Sequence, residues 1–215
     1  MTNLQITQLV SDGWIEIQSQ TDDNALIDIA KKIGQIIKHP NGKDIDYLKP
    51  KNSNIAIKDT FSYNYEMAEF PFHSDTAFWN LPAKYVLLSC EGLSDTATTF
   101  LTFEDIYKTL NPEEIIDLNK SIFFVRTPTK KFYSSLINIY ANQKFIRFDT
   151  NCMKPVNKSA TKILLIIDNK INQLKISKIS WDQPKVFIFD NWRILHGRES
   201  VKNDENRILK RIYIK

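Results

Sequence analysis

At 215 residues the chain is long enough to bury a full hydrophobic core, and its 42% hydrophobic and 12% aromatic content is that of an ordered globular protein. Lysine plus arginine exceeds aspartate plus glutamate by 29 − 25 = +4, with the signs mixed along the chain, which excludes the concentrated basic stripe of a nucleic-acid binder. No apolar run approaches the ~20 residues of a membrane span.

The opening MTNLQITQLVSDGW lacks the charged start and apolar run of a signal peptide. Cys90 and Cys152 lie far apart without CxxC spacing, and Cys90 sits in the apolar run YVLLSCEG, so it reads as a buried free thiol in a reducing, cytoplasmic setting. GWIEIQ (13–18) alternates as a strand. DDNALIDIAKKIGQIIKHPNG then places Leu26, Ile29, Ala30, Ile33, Ile36 and Ile37 on one helical stripe, capped by Asp22 or Asp23 and ended by Pro40-Asn41-Gly42. His39 in that turn is expected at the surface. Beyond it the pattern is mostly β: AKYVLLSC, TTFLTF, SIFFVRT, KFYSSLINIY, KFIRFD, KISKISW, KVFIFD and RILKRIYIK, broken by helices around LTFEDIYKTLNPEEIIDLNK and KSATKILLIIDNKINQL. Many short strands with few helices predict a sandwich or barrel. There is no GxGxxG or GKS/T loop for a nucleotide, and no linker divides residues 1–215, which are read as one domain.

In FPFHSDTAFW (70–79), His73 and Asp75 stand two apart in an extended segment, so both side chains leave one face. An imidazole and a carboxylate on one face are two legs of the facial triad that holds non-haem Fe(II) with positions left open. Of the remaining histidines, His196, after the apolar strand KVFIFD and a DN turn, is the candidate third ligand. Arg207 and Arg211 follow it in RILKRIYIK. Alternation puts them with Leu209 and Tyr213 on one face and Ile208, Ile212 and Ile214 on the other, so the isoleucines can pack on core while the arginines look into a cavity. Buried guanidinium groups need anionic partners, and a dicarboxylate suits arginine's planar fork.

HSD, DNWRILHGR and RILKR, together with FPFHSDTAFWNLPAKYVLLSCEG and FIRFDTNCM, resemble the Fe(II)/2-oxoglutarate-dependent dioxygenases of the taurine dioxygenase (TauD/TfdA) and clavaminate synthase-like group. The resemblance runs from about Gly13 to the C-terminus. It implies a mainly β fold with flanking helices around a double-stranded β-helix (jelly-roll, cupin-like) core, with Fe(II) on His73, Asp75 and His196. It implies 2-oxoglutarate on Arg207 and a threonine, placed at Thr99 with Thr98 one step away, and Arg211 contacting cosubstrate or an anionic substrate. It further implies dioxygen as partner and hydroxylation, or another oxidation, of an unactivated C–H bond of a small molecule such as an amino acid or small carboxylate, with release of succinate and CO2.

A lysine-using Jumonji pattern and the RxS motif of isopenicillin-synthase-like enzymes are absent, and Asp75 argues against halogenation. The chain is short for the group, so a reduced lid is expected. Arg147, Phe78 and Trp79 are the candidate substrate-pocket residues, while Asn191 and Arg198 read as scaffold around His196. Two alternatives stay open: the same chemistry on a carrier- or protein-tethered substrate, and a non-catalytic β-barrel binding module.

Overall fold

A computed structural model describes residues 1–58 and 60–215. Helix α1 (Asn3–Asp12), absent from the sequence reading, is closed by a Thr2/Gln5 capping box and a left-handed Gly13. Strand β1 (Trp14–Gln18) and helix α2 (Asp23–Ile33), capped by Asp22, follow as anticipated. The helix ends earlier than its apolar stripe suggests. At Gly34 a Cβ would lie 2.3 Å from the Lys215 carbonyl, and this close approach lets Ile36–Ile37 continue as β2 against the C-terminal strand. Strand β3 (Asp46–Leu48), helix α3 (Phe61–Tyr65) and strand β4 (Phe70–His73) lead to β5 (Tyr85–Glu91) and β6 (Ser94–Thr102).

Residues 103–176 then hold α4 (Phe103–Lys108), α5 (Pro112–Lys120), β7 (Phe123–Arg126), β8 (Lys131–Ser134), β9 (Ile137–Tyr140), β10 (Gln143–Ile146), β11 (Met153–Pro155) and α6 (Lys158–Ile171). The chain returns through β12 (Ser177–Trp181), β13 (Lys185–Asp190), β14 (Ile194–Arg198) and β15 (Ile208–Ile214). The strand and helix segments read from pattern after the first helix all reappear here.

Two antiparallel sheets organise these elements. One runs β1-β13-β5-β15, with β2 and β3 both along the outer side of β15; the other runs β12-β6-β14-β4. Alternation decides which side chains meet between them. Val86, Leu88, Phe187, Phe189, Leu209 and Tyr213 of the first sheet pack with Phe100, Ile179, Trp181 and Ile194 of the second. The intervening positions Leu87, Val186, Ile188, Ile212 and Ile214 turn outward onto Leu9 of α1 and Leu26, Ile29 and Ala30 of α2. Both faces of β13 are thus covered, which is why KVFIFD is a continuous apolar run rather than an alternating one. On the far side of the second sheet, Leu101 and Leu195 pack with Ile106, Leu118, Ile163 and Ile167 of the 103–176 segment. At about 25 cal/mol per Å² of apolar area removed from water, each fully buried Ile, Leu or Phe contributes roughly 2 kcal/mol. Among the described residues no helix is long and apolar enough to cross a membrane. Both cysteines are free and buried.

Candidate metal and cosubstrate site

His73 and His196 face each other across the β4–β14 pair, with ring centroids 4.3 Å apart. Gly197 makes this approach possible, since a Cβ there would lie 2.7 Å from the Phe70 carbonyl. Asp75 does not belong to the strand: β4 stops at His73, and Asp75 opens the turn that follows. The strand-alternation argument therefore reaches the right residue by a different geometry. Thr76, with φ of 56° in the left-handed region, swings the chain round, its hydroxyl donating to the Asp75 carbonyl and accepting from Ala83 N–H. The fully buried Asn191 side chain clips the same residue, accepting from Asp75 N–H at 2.7 Å and donating to the carbonyls of Asp75 (3.0 Å) and Ala83 (2.9 Å). Expected as scaffold for His196, Asn191 acts on Asp75.

The ligating atoms of His73, Asp75 and His196 lie within 4.8 Å of one another, and all three residues are buried. The Nε2 atoms of His73 and His196 stand 3.9 and 3.8 Å from the two Asp75 carboxylate oxygens, too far for hydrogen bonds. His73 Nδ1 lies 2.9 Å from the Pro71 carbonyl, which accepts from it, and Nε2 is the nitrogen turned toward Asp75. Burial, with His73 next, pushes His196 down to about 3, so its ring is neutral. Burial works against the Asp75 charge, but Arg211 foremost outweighs it and holds the carboxyl below its usual range. Two imidazoles and one carboxylate converging without direct contact are a donor set that fits a divalent ion. Phe61 and Phe189 flank the histidines at 4.2 and 4.8 Å.

Arg207 is buried on the inner face. Its sequence-assigned partner needs correcting: Thr98, not Thr99, is beside it. The Thr98 hydroxyl accepts from Arg207 Nη2 at 3.5 Å and from Trp181 Nε1 at 3.2 Å. Thr98 shares the inward parity of Phe100, whereas Thr99 shares that of Leu101 on the opposite face. Among the described residues Arg207 Nε has no partner, a buried donor available to an anion.

Arg211, expected at cosubstrate or an anionic substrate, is occupied otherwise. Its Nη1 donates to both Asp75 oxygens (2.9 and 3.2 Å) and its Nη2 to Asp46 (3.0 Å). Behind Asp46 lies His39, which is buried rather than at the surface. It stacks on Tyr213 at 4.4 Å, 3.7 Å from the Asp46 carboxylate. Burial chiefly lowers its pKa.

Arg147 is not a pocket residue. It is 2% exposed, and it donates to the carbonyls of Ala77, Trp79 (2.6 Å) and Asn80 (3.0 Å), fastening the loop after Asp75. Phe132 and Phe145 cover its guanidinium, and burial brings its pKa down to about 10. Phe78 packs toward the core of the 103–176 segment. Trp79 meets Tyr213 edge-on at 5.4 Å, beside the site. Arg198 lies over Phe70 and donates to the carbonyls of Glu66 and Ala68, a scaffold role on the β4 approach.

Asp46, Phe61, Trp181 and Asp149 escaped sequence reading. Trp181 carried the only signal: in KISKISW it has the parity of Ile179, and so faces inward. Asp149 is 7% exposed and couples electrostatically to His73. It follows Phe148, whose backbone is joined to Ser74 by N–H and carbonyl bonds of 2.9 and 2.7 Å.

No family model matches the sequence. No curated protein matches it either. Solved structures do. Asparagine oxygenase in complex with Fe(II), 2S,3S-3-hydroxyasparagine and succinate superposes with a TM-score of 0.79 at 16% identity, over 98% of this chain and 78% of that one. A taurine dioxygenase from Burkholderia xenovorans gives 0.76 at 11% identity, over 100% and 82%. The non-heme iron oxygenase OrfP with Fe and alpha-ketoglutaric acid gives 0.74 at 15% identity, over 99% and 78%. The chain therefore has the fold of these iron oxygenases.

Proposed function

We propose that the protein is a non-haem Fe(II)- and 2-oxoglutarate-dependent oxygenase whose residues 1–215 act as one domain on a double-stranded β-helix core. Its substrate on this reading is a small molecule such as an amino acid. The observation that carries this is the convergence of His73, Asp75 and His196 at one end of the second sheet, with the unsaturated Arg207–Thr98 pair on the same inner face. The fold shared with iron oxygenases supports it, and the two buried free thiols suit a cytoplasmic setting.

His73, Asp75 and His196 would hold the iron, and Arg207 and Thr98 the far carboxylate of 2-oxoglutarate. The bound iron and 2-oxoglutarate supply the oxidising chemistry, in which dioxygen is consumed, 2-oxoglutarate leaves as succinate and CO2, and a C–H bond of the substrate is oxidised. The chain's own work is positioning. Asn191 and Thr76 set the Asp75 backbone, and Arg211 keeps the Asp75 carboxylate ionised and oriented. The Pro71 carbonyl orients the His73 ring. Phe61, Phe189 and Trp79 make the surroundings apolar and limit water.

The test is anaerobic visible absorption of metal-free protein titrated with Fe(II) and 2-oxoglutarate. A weak charge-transfer band that needs both additions, lost in Asp75→Ala, is the expected result. No band, with Fe(II) binding established separately, would leave a non-catalytic binding module as the better reading.

A further inference from the structure

The mixing of charges along the chain breaks down in one stretch. Residues 118–167 hold nine of the 29 lysines and arginines but a single acid, Asp149, which leaves 29 − 9 = 20 cations against 25 − 1 = 24 acids elsewhere. Asp149 and Arg147 are buried, whereas the other eight cations of the stretch are exposed. Among the described residues only one of those eight, Lys162, lies within ion-pair distance of an acid, Asp117 at 3.6 Å. Unanswered charges of one sign repel one another and set up a field that draws in an acidic partner.

The fold gathers most of these cations on one sheet face. Strands β11, β7 and β8 pair antiparallel in that order. Phe123, Val125, Phe132 and Met153 turn inward and pack with Leu118 and Ile163. Alternation therefore turns Ile122, Phe124, Arg126, Lys131, Tyr133 and Lys154 outward. Three rows cross this face. Arg126 stands opposite Lys131 in the first, and Phe124 stands between Lys154 and Tyr133 in the second, its ring 5.3 Å from that of Tyr133. In the third, the Ile122 carbonyl accepts from Val156 N–H at 2.9 Å. Beyond that row Asn157 caps α6 just before Lys158 and donates to the Lys120 carbonyl, which brings two further cations to the edge.

Two features mark this face as a binding surface. Arg126 and Lys131 are like charges directly opposite one another, an arrangement that destabilises the free chain and that no acid among the described residues relieves. The centre of the face is apolar, with Tyr133 68%, Val156 51% and Ile122 43% exposed, and cations flank it at both ends. An apolar, aromatic centre inside a charged rim is the anatomy of a protein–protein interface, and the sign of the rim sets the sign of the partner. Ile122 and Val156 offer no flat surface on which a base could stack, so an acidic protein suits the face better than a nucleic acid.

We propose that the outer face of β11-β7-β8 docks an acidic partner protein, whose apolar residues seat on Phe124 and Tyr133 and whose carboxylates meet Arg126, Lys131 and Lys154. No residue assigned to metal or cosubstrate lies on this face, so the proposal stands apart from the oxygenase reading.

The experiment measures fluorescence anisotropy of a labelled helical peptide built of LEELLEE heptads, titrated with the full-length protein. A peptide of the same composition, shuffled so that it has no apolar face, is the control. The heptad peptide should bind more tightly than the shuffled one. Arg126→Glu combined with Lys131→Glu should weaken that binding about tenfold or more, and Tyr133→Ser about tenfold. Lys31→Glu combined with Lys32→Glu makes the same change of net charge on the exposed side of α2 and should leave binding within about twofold. Lys131→Glu alone should raise the Tm of the free protein by about 1–3 °C, because it turns a repelling pair into an attracting one. The proposal is overturned by equal binding of the two peptides, by undiminished binding in both face variants, by an equal loss in the α2 variant, or by a lower Tm in Lys131→Glu. Tighter binding of oligouridylate or of phosphatidylserine vesicles than of the peptide would overturn it in favour of RNA or a membrane surface. Self-association of the wild type that Arg126→Glu abolishes would overturn it in favour of a second copy of this chain.

Discussion

Arg211→Met isolates the electrostatics of the metal end. The substitution keeps much of the apolar stem but removes the one arginine or lysine among the described residues that is bonded to Asp75, a side chain 7% exposed. Breaking a buried pair from one side typically costs about 3–5 kcal/mol. The other pair broken, to Asp46 with a side chain 24% exposed, adds no more than about 1 kcal/mol because water screens it. A loss of about 3 kcal/mol in a chain of this size lowers Tm by about 6–12 °C. That deficit belongs to the metal-free protein. A divalent ion on His73, Asp75 and His196 supplies the missing positive charge, so saturating Mn(II), a stand-in stable in air, should close most of the gap, and the variant should bind Mn(II) at least as tightly as wild type. The assay is differential scanning fluorimetry of both proteins with and without the ion. A metal-free deficit under about 2 °C, or an equal deficit in both conditions, would refute the reasoning, because either means that Arg211 does not compensate the charge the metal shares.

The inward threonine is tested by pairing Thr98→Val with Thr99→Val: the first should raise the 2-oxoglutarate KM about tenfold through the lost bond to Arg207, the second should leave it within about twofold, and steady-state succinate formation decides. Gly197→Ala puts a Cβ 2.7 Å from the Phe70 carbonyl, so it should push β4 from β14 and separate His73 from His196. A destabilisation of about 1–3 kcal/mol and a weaker Mn(II) titration are expected, and unchanged metal affinity would count against the strand pairing described. Asn191→Ala removes the clip on Asp75 and should reduce metal affinity about 10–100-fold, measured by competition with a chelating dye, while the histidines stay in place.

What the sequence discloses and what it hides follow from the range of the forces involved. The helix stripe from Leu26 to Ile33, the alternation of RILKRIYIK and the apolar run KVFIFD are local patterns imposed by burial, and they read correctly. The helix end at Gly34 is set by the C-terminus, 181 residues away, whose carbonyl leaves no room for a side chain. His39 was misplaced for the same reason: its turn is local, but the ring of Tyr213 that buries it is not. Thr98 and Thr99 differ by a single step of parity, and only the pairing of β6 with β12 and β14 says which faces Arg207. Arg147 looked like a pocket cation because nothing in FIRFD reveals that three carbonyls from 77–80 converge on it. Asp46 carried no local signal, since its significance lies wholly in what Arg211 does.

The continuous segment 103–176 lies between β6 and β12, which are neighbours in one sheet, so its two ends leave and re-enter the molecule side by side. Every residue assigned to metal or cosubstrate lies outside it. On the oxygenase reading proposed above, the whole segment is exchangeable as one cassette that leaves the metal and cosubstrate residues unchanged. Any replacement has to meet the same contacts: an apolar face for Leu101 and Leu195, a cation where Arg147 grips the loop after Asp75, and backbone partners for Ser74 and Trp192. If that reading holds, a chimaera carrying a foreign cassette that meets them should still bind Fe(II) and 2-oxoglutarate.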